Sequence, residues 1–247
     1  MIYSTYGGLL LALGSVLFAI LVEGAAFSSF FKLSSILLIL GGTIGATIAS
    51  YSAEQVRVSV RVIKTIIRDE ESIDVYDIFS RLLDKTRRDG LLSLEDEIDG
   101  IPDELIQRGV RLIVDGTDPI TVEDILYEWT EQREVAEAVS GKILETAGGF
   151  CPTVGIIGTV MGLVHVLENL GSGTSALGQG IASAFIATFY GIGFANLFFL
   201  PLANKVKAYS KEQNEKRHAI IRGILSIQSG DNKRIMMERM APYLKKY

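Results

Sequence analysis

The sequence predicts an all-α, polytopic membrane protein with four transmembrane helices and a helical cytoplasmic domain. The mean hydropathy of +0.32 exceeds that of ordinary soluble domains. The charges are also segregated. Four long segments contain only one charged or His side chain, His165, whereas residues 52–146 hold 12 Lys or Arg and 23 Asp or Glu. Finally, the polar region has apolar residues at helical spacing, and no segment alternates as a strand does.

Four apolar segments predict the transmembrane helices, because a bilayer core about 30 Å thick needs roughly 20 helical residues. The first two are separated by ten residues and predict a helical hairpin, and the uncharged linker GSGTSALGQ joins the last two into another. The first segment does not resemble a secretory signal, since no Lys or Arg precedes it and no small-residue cleavage pattern follows. The four segments are 7–22, 33–51, 148–167 and 180–203.

Basic residues flank these segments unevenly, and this asymmetry predicts the orientation in the membrane. The turn after the first segment contains one basic residue, Lys32, and the turn after the third contains none. Four basic residues follow the second segment and five follow the fourth, so both termini and the central region are expected in the cytoplasm. These nine residues are Arg57, Arg61, Lys64, Arg68, Lys205, Lys207, Lys211, Lys216 and Arg217.

The chain is expected to have four regions. These are a transmembrane hairpin (1–51), a cytoplasmic helical domain (52–146), a second transmembrane hairpin (147–203) and a basic cytoplasmic tail (204–247). The cytoplasmic domain has a net charge of −11 and the tail a net charge of +7. Either the two attract one another or the tail rests against anionic lipid, and the sequence leaves both open.

Helical spacing continues after residue 52, so the second membrane helix is expected to run on into the cytoplasm. Within the cytoplasmic domain, one helix is predicted to end at Gly90 and another to lie between Pro102 and Gly116. Thr121 and Asp124 are expected to open a third helix that leads directly into the third membrane span.

The sequence has no pattern typical of an enzyme or a metal site. Its one cysteine, Cys151, behaves as a small hydrophobe, and its two histidines, His165 and His218, are too isolated to suggest metal ligands. No Ser/His/Asp arrangement, phosphate-binding loop or spaced Cys/His cluster occurs. We therefore expect no catalytic residue, no metal, no cofactor and no nucleic-acid partner.

Small residues recur at helical spacing in the third and fourth segments. In lipid, small residues let helix backbones approach closely. The third and fourth helices are therefore expected to pack on protein, while the first two, richer in Leu and Ile, are better suited to face lipid. The expected packing residues are Gly155, Gly158, Gly162, Ala184 and Gly191.

Two threonines, Thr159 and Thr188, lie on these small-residue faces. Each hydroxyl either bonds to a carbonyl one turn earlier or lines a path for ions or water. An ion path normally needs an ionisable group near mid-membrane, and none of the four segments has one there. Either the chain transports nothing, or another polypeptide brings the carboxylate.

Two prolines, Pro152 and Pro201, fall near the predicted cytoplasmic ends of the third and fourth spans. Proline removes a helical hydrogen bond and tends to kink a helix. The two positions are therefore either hinges between spans and cytoplasmic domain or simple helix boundaries.

The segments PTVGIIGTVMGLVHVL and GIASAFIATFYGIGFANLFFLPLA resemble the third and fourth membrane helices of the MotA/PomA stator subunits of the bacterial flagellar motor. The cytoplasmic segment RRDGLLSLEDEI is similar to the torque segment of the same family. The resemblance covers nearly the whole chain. TolQ and ExbB, relatives in the same superfamily, share the third and fourth helices but typically have three spans.

This resemblance implies a multi-pass protein of the bacterial inner membrane in which five copies form a ring around two copies of a MotB-type partner. The partner's single span carries the aspartate that binds the ion, H+ or Na+. Ion passage would turn the ring, and the cytoplasmic domains would push on the rotor switch protein FliG. The sequence does not decide between the two ions, and the proton is preferred because proton-driven members of the family are the more widespread.

The resemblance also assigns roles to residues. Arg87 or its neighbour Arg88, together with Glu95, would contact the rotor; without the family they would be ordinary solvated charges. Thr159 and Thr188 would correspond to the ion-path threonines of the family, and Pro152 and Pro201 to its two prolines.

Three functions remain open from sequence. The first is the stator subunit, and the second is an energiser of the ExbB/TolQ type that drives an envelope-spanning system. The third is a passive membrane scaffold without ion coupling.

Overall fold

The chain is helical throughout the part that the structure describes, and no β-strand occurs there. The structure is a computed structural model, and it describes residues 2–24, 27–68, 74–168 and 174–244. The predicted all-α class is confirmed. The linker predicted between the last two spans lies partly in residues 169–173, outside the described residues.

The helices follow one another in chain order with short connections. The first four are α1 (Ile2–Val22), α2 (Phe27–Phe30), α3 (Leu33–Ser50) and α4 (Ala53–Arg68). They are followed by α5 (Val75–Asp89), a 3-10 helix (Leu91–Gly100), α6 (Glu104–Val114) and α7 (Pro119–Glu168). The last are α8 (Thr174–Phe194), a π-helix (Ala195–Phe199), α9 (Leu200–Gln228) and α10 (Lys233–Leu244).

Three of the described helical stretches are long and apolar enough to cross a membrane. They are α3, α7 and the stretch Leu177–Gln228, which includes most of α8 and α9. The apolar part of α1, Gly7–Val22, is shorter than the others. Membrane-spanning helices are therefore present as expected, while the count of four stays a prediction.

The chain forms two compact units, each built from two separate stretches. Unit 1 contains Met1–Asp69 and Ala138–Lys207, and unit 2 contains Glu70–Glu137 and Ala208–Tyr247. The candidate membrane spans contribute to unit 1, and the strongly charged segments form most of unit 2.

In unit 1, α3 does not simply face lipid, as had been expected from its Leu and Ile content. A Cβ atom added to Gly42 would lie 2.8 Å from Cγ1 of Val154 on α7. Small and polar side chains on one stripe of α3 make this close approach feasible, because they add little bulk at the helix contact. The buried residues of that stripe are Ser35, Ile39, Thr43 and Thr47.

The expectation that the second span runs on into the cytoplasm is wrong. Helix α3 ends at Ser50, and a new helix starts after Ser52. The hydroxyl of Ser52 accepts a hydrogen bond from the Gln55 backbone N–H at 3.2 Å, and the Gln55 side chain accepts one from Ser52 N–H at 3.0 Å. This reciprocal pair is a capping box, which satisfies backbone donors at the start of a helix and so favours a break here.

In unit 2, one hydrophobic core joins α5, the 3-10 helix, α6 and α10 to residues of α7 and α9. Phe79 of α5 is fully buried at its centre. Two glycines allow close packing there. A Cβ at Gly223 would lie 2.6 Å from the Phe79 ring, and a Cβ at Gly109 would lie 2.1 Å from Cδ1 of Ile224. Helix α9 therefore packs closely against α5 and α6.

The ends of the unit 2 helices agree in part with the sequence. Gly90 and Gly116 both have positive φ, +84° and +77°, as expected of glycines that end a helix. The start of α7 differs, because Asp118 and not Thr121 provides the cap. One carboxylate oxygen of Asp118 accepts hydrogen bonds from the backbone N–H groups of Ile120 and Thr121, at 3.1 and 3.0 Å.

Ion pairs join the acidic and basic regions within unit 2. Arg217 makes a bidentate contact with Glu137, and Arg222 Nη1 lies 3.0 Å from Glu123 Oε1. Ser210 donates a third hydrogen bond to Glu137, at 2.9 Å. Of the two alternatives that the sequence left open, attraction between the two regions is thus present in the fold.

Candidate functional site

Helices α7 and α8 approach each other through small residues in unit 1. A Cβ atom at Gly191 would lie 3.0 Å from the Cα of Gly155, and one at Gly162 would lie 2.8 Å from the Cβ of Ala184. The position between them, Gly158, is buried on the same face. Larger side chains at these positions would push the helices apart, so the sequence of small residues directly sets the distance between the two backbones.

Thr159 and Thr188 meet at this helix contact, and their hydroxyl oxygens share a hydrogen bond. The Thr159 hydroxyl also lies 3.1 Å from the carbonyl oxygens of Gly155 and Ala184. A hydroxyl has one proton to donate, so these acceptors compete for it. Both side chains are only half-buried. The bond to a carbonyl one turn earlier is therefore present for Thr159, while the path for ions or water stays a prediction.

The surroundings of the threonine pair lack an acid or base. Apart from His165, residues 148–167 and 180–203 contain no charged or titratable His side chain. A threonine hydroxyl donates and accepts hydrogen bonds but does not ionise near neutral pH. The pair can donate and accept hydrogen bonds, but its own hydroxyls do not exchange protons near neutral pH.

The two prolines lie at different places along their helices. Pro152 lies within α7, and Pro201 follows the first residue of α9, directly after the π-helix. Because proline has no N–H, the carbonyl of Leu197 receives no bond from Pro201. At the residue before Pro201, the N–H of Leu200 bonds to the carbonyl of Ala195, five residues away. Such wide turns often accompany helix bends.

A second candidate site lies in unit 2, where α5 turns into the 3-10 helix. Arg87 and Arg88 occupy the last turn of α5, and Glu95 lies on the 3-10 helix after Gly90. All three charged side chains are exposed, and none forms an ion pair with another described residue. Their charges therefore remain available to a partner.

A neighbouring ion pair holds these two elements together. Lys85 Nζ lies 2.9 Å from Glu97 Oε1, linking α5 to the 3-10 helix. The hydrogen bond from Lys85 lowers the pKa of the Glu97 carboxyl, and the lysine charge acts in the same direction. The pair is partly exposed and contributes little stability by itself.

Sequence reasoning missed three features of these sites. One is the π-helix, whose only signal was Pro201. The others are the buried polar stripe of α3 and the exposure of Leu92, which lies in an apolar pair with Leu91. For the α3 stripe and Leu92, the residue types are visible in the sequence, but the direction of their side chains is not.

Comparison with known proteins identifies the class. Residues 97–219 match the MotA/TolQ/ExbB proton channel family. The chain is 34% identical to Motility protein A of Borreliella burgdorferi over 237 residues, which cover 94% of this chain and 89% of the relative. The chain therefore belongs to the MotA/TolQ/ExbB proton channel family, and the family predicted from the sequence is confirmed.

Within that family, the similarity extends to solved flagellar stators. The subunit in the structure of C. jejuni MotAB has a TM-score of 0.91 and 27% identity, with 99% of this chain and 96% of that chain covered. The flagellar MotAB stator complex from Bacillus subtilis has a TM-score of 0.89 and 28% identity, with 98% and 96% covered.

Proposed function

We propose that this chain is the flagellar motor stator subunit that, with a MotB-type partner, converts proton flow across the membrane into torque on the rotor. The observation that carries the proposal is the similarity in fold to MotAB stators, which extends over nearly the whole chain. The energiser and scaffold alternatives are not needed to account for any described feature.

The chain would lie in the bacterial inner membrane as a multi-pass protein with both termini in the cytoplasm. The distribution of Lys and Arg supports this orientation. In this arrangement, residues 1–51 and 147–203 form the membrane hairpins. Residues 52–146 form the torque domain, and 204–247 form the tail that packs on it.

The partner would supply the acid that the spans of this chain lack. A single transmembrane helix carrying an aspartate would lie beside the hydroxyls of Thr159 and Thr188, which are half-buried in this chain. When ionised, the carboxylate would accept hydrogen bonds from these hydroxyls, which lowers the cost of a charge in the membrane. When protonated, it would bond more weakly and move away. Alternation between the two states would couple proton passage to movement between the partner and a ring of these subunits.

Movement would then reach the rotor through unit 2. The unpaired charges of Arg87, Arg88 and Glu95 would contact the rotor switch protein FliG, since exposed charges of both signs orient a partner more than they hold it. Bending at Pro152 and Pro201 would let the helices that belong to both units change shape during each step. A pentameric ring supplies repeated copies of this surface.

The test is complementation of a motor-deficient strain. The chain is co-expressed with the adjacent reading frame for a one-span protein with a peptidoglycan-binding domain, and swimming is measured in sodium and in potassium buffer. We expect swimming in both buffers and loss of swimming when the partner's membrane aspartate is replaced by asparagine. Swimming that requires sodium would contradict the proton, and no swimming despite membrane insertion of both chains would contradict the stator function.

A further inference from the structure

One large apolar side chain of the 3-10 helix points to solvent. Leu92 is 72% exposed, whereas Leu94 is fully buried and Ile98 is 5% exposed. The 3-10 helix therefore already has apolar residues that cover its inner face. Leu92 is not needed for the core, and its exposure results from its position on the outer face of the helix.

Leu92 lies between charges of opposite sign. Glu95 follows Leu92 by three positions, and both side chains are exposed. On the N-terminal side of Leu92, Gly90, with a φ of +84°, connects the 3-10 helix to the last turn of α5. That turn carries Arg87 and Arg88. We call the surface formed by these two arginines, Leu92 and Glu95 the Arg–Leu–Glu edge.

We propose that Leu92 is the apolar anchor of the contact between this chain and the rotor protein. The matching surface on that protein would have a shallow apolar pocket between an acidic group, facing the two arginines, and a basic group, facing Glu95. The inference rests on the proposed function. It adds to the proposed function that Leu92, and not the charged residues, provides most of the affinity of this contact.

The physical argument is the different strength of the two kinds of contact. Exposed ion pairs contribute little affinity and are screened by salt. Apolar side chains that enter a pocket surrounded by polar groups contribute much more, because they exclude water. The Arg–Leu–Glu edge has this arrangement of an apolar centre and a charged rim. The charges would then orient each encounter, and Leu92 would hold it.

The charge pattern also favours a protein over a membrane as the occupant. Besides Glu95, the exposed residues of this 3-10 helix include Asp96 and Asp99. These carboxylates would be repelled by anionic lipid headgroups. A rotor surface with groups of both signs can pair with the arginines and with Glu95 at the same time, whereas a surface of one charge sign can pair with only one of these groups.

The test uses the whole stator complex purified in detergent and the purified rotor switch protein FliG from the same genome. Binding is measured at about 0.1 M and about 1 M salt, which differ about threefold in screening length. We expect Leu92→Ala to weaken binding about tenfold at both salt concentrations, since hot-spot residues have effects of this size. Leu92→Met should restore most of the affinity, and Arg87→Glu should weaken binding at low salt only.

The matched control is Ile120→Ala. Ile120 also belongs to unit 2 and is 74% exposed. If removal of any exposed aliphatic side chain weakened binding, Ile120→Ala would weaken it as well. It should bind as the wild type does. Each complex is first checked for unchanged mass and unchanged melting temperature, and swimming of the corresponding strains provides the readout in cells.

Two outcomes overturn the inference while the stator function stands. One is wild-type binding by Leu92→Ala when Arg87→Glu binds weakly. The other is a change in the mass of the Leu92→Ala complex, which would show that the edge contacts a second copy of this chain. A wild-type complex that neither binds the rotor protein nor restores swimming would instead contradict the proposed function itself.

Discussion

Gly223 illustrates how one residue can set the packing of a whole unit. A Cβ atom at this position would lie 2.6–2.9 Å from three atoms of the Phe79 ring, which is fully buried and has nowhere to move. We expect Gly223→Ala to lower the free energy of unfolding of unit 2 by up to about 2 kcal/mol. Overpacking costs about 1–3 kcal/mol, and the better helix propensity of alanine offsets about 1 kcal/mol of that.

The measurement is urea unfolding of the purified chain in detergent micelles, followed by fluorescence of Trp129. This is the one tryptophan of the chain and lies in unit 2. The matched control is Gly100→Ala, because a Cβ at Gly100 meets nothing within 4 Å. Equal stability of the two variants would contradict the packing described for Gly223.

His218 should make the stability of unit 2 depend on pH. Its imidazole lies between the rings of Tyr127 and Tyr243, with centroid distances of 5.4 and 5.7 Å. Burial lowers the pKa of His218 and the Arg222 charge acts in the same direction, while Glu134 partly opposes them. The unfolded chain therefore binds a proton more readily than the folded chain, and this contribution to stability falls as pH drops below about 6.5.

We expect the difference in unfolding free energy between the wild type and His218→Gln to change between pH 7 and pH 5. The wild type should lose more stability than the variant over this interval, because only the wild type has to protonate a half-buried imidazole. Trp129 fluorescence during urea unfolding at each pH provides the values. Parallel profiles for the two proteins would contradict the assignment to His218.

At the scale of helices, the Glu137–Arg217 pair is the main polar contact between α7 and α9 in unit 2. The two side chains are only 10% and 11% exposed. We expect Glu137→Gln to destabilise the unit by about 3 kcal/mol, because it leaves the arginine charge buried without a counter-charge. Urea unfolding followed at Trp129 measures the loss.

Glu131→Gln is the control for this pair, since Glu131 is exposed on the same helix and has no ion pair among the described residues. It should unfold as the wild type does. The double change Glu137→Leu with Arg217→Met should be more stable than Glu137→Gln, because no charge remains buried. If Glu137→Gln is as stable as Glu131→Gln, the pair does not hold the two helices together.

At the scale of the whole molecule, the proposed ion coupling would depend on the hydroxyl pair in unit 1. We expect Thr159→Val combined with Thr188→Val to abolish swimming in the complementation strain while membrane insertion and complex formation persist. Valine has the shape of threonine but cannot hydrogen-bond to a carboxylate from the partner. Swimming speed, together with the amount of complex in the membrane, checks this expectation.

Thr153→Val provides the comparison on the same helix. Thr153 is exposed and its hydroxyl donates to the Phe150 carbonyl at 2.7 Å, away from the threonine pair. This variant should swim normally. Normal swimming of the double variant as well would remove the hydroxyls from the ion path.

Properties that depend on composition or on near neighbours in the chain could be predicted from the sequence. These include the all-α class, the apolar spans, the lack of an acid in them and the helix ends at Gly90 and Gly116. The capping box at Ser52 and Gln55 was also readable, since its residues are three positions apart. It was overlooked because the apolar spacing continues across the break.

Only the tertiary structure decided which distant residues meet. Thr159 and Thr188 are 29 positions apart, and Glu137 and Arg217 are 80 apart. Helical spacing places each of these side chains on a face, but the rotation and offset of two packed helices determine which faces touch. The outward direction of Leu92 could not be predicted for the same reason. Of the adjacent residues Leu91 and Leu92, the sequence does not show which one faces the core until the position of that core is known.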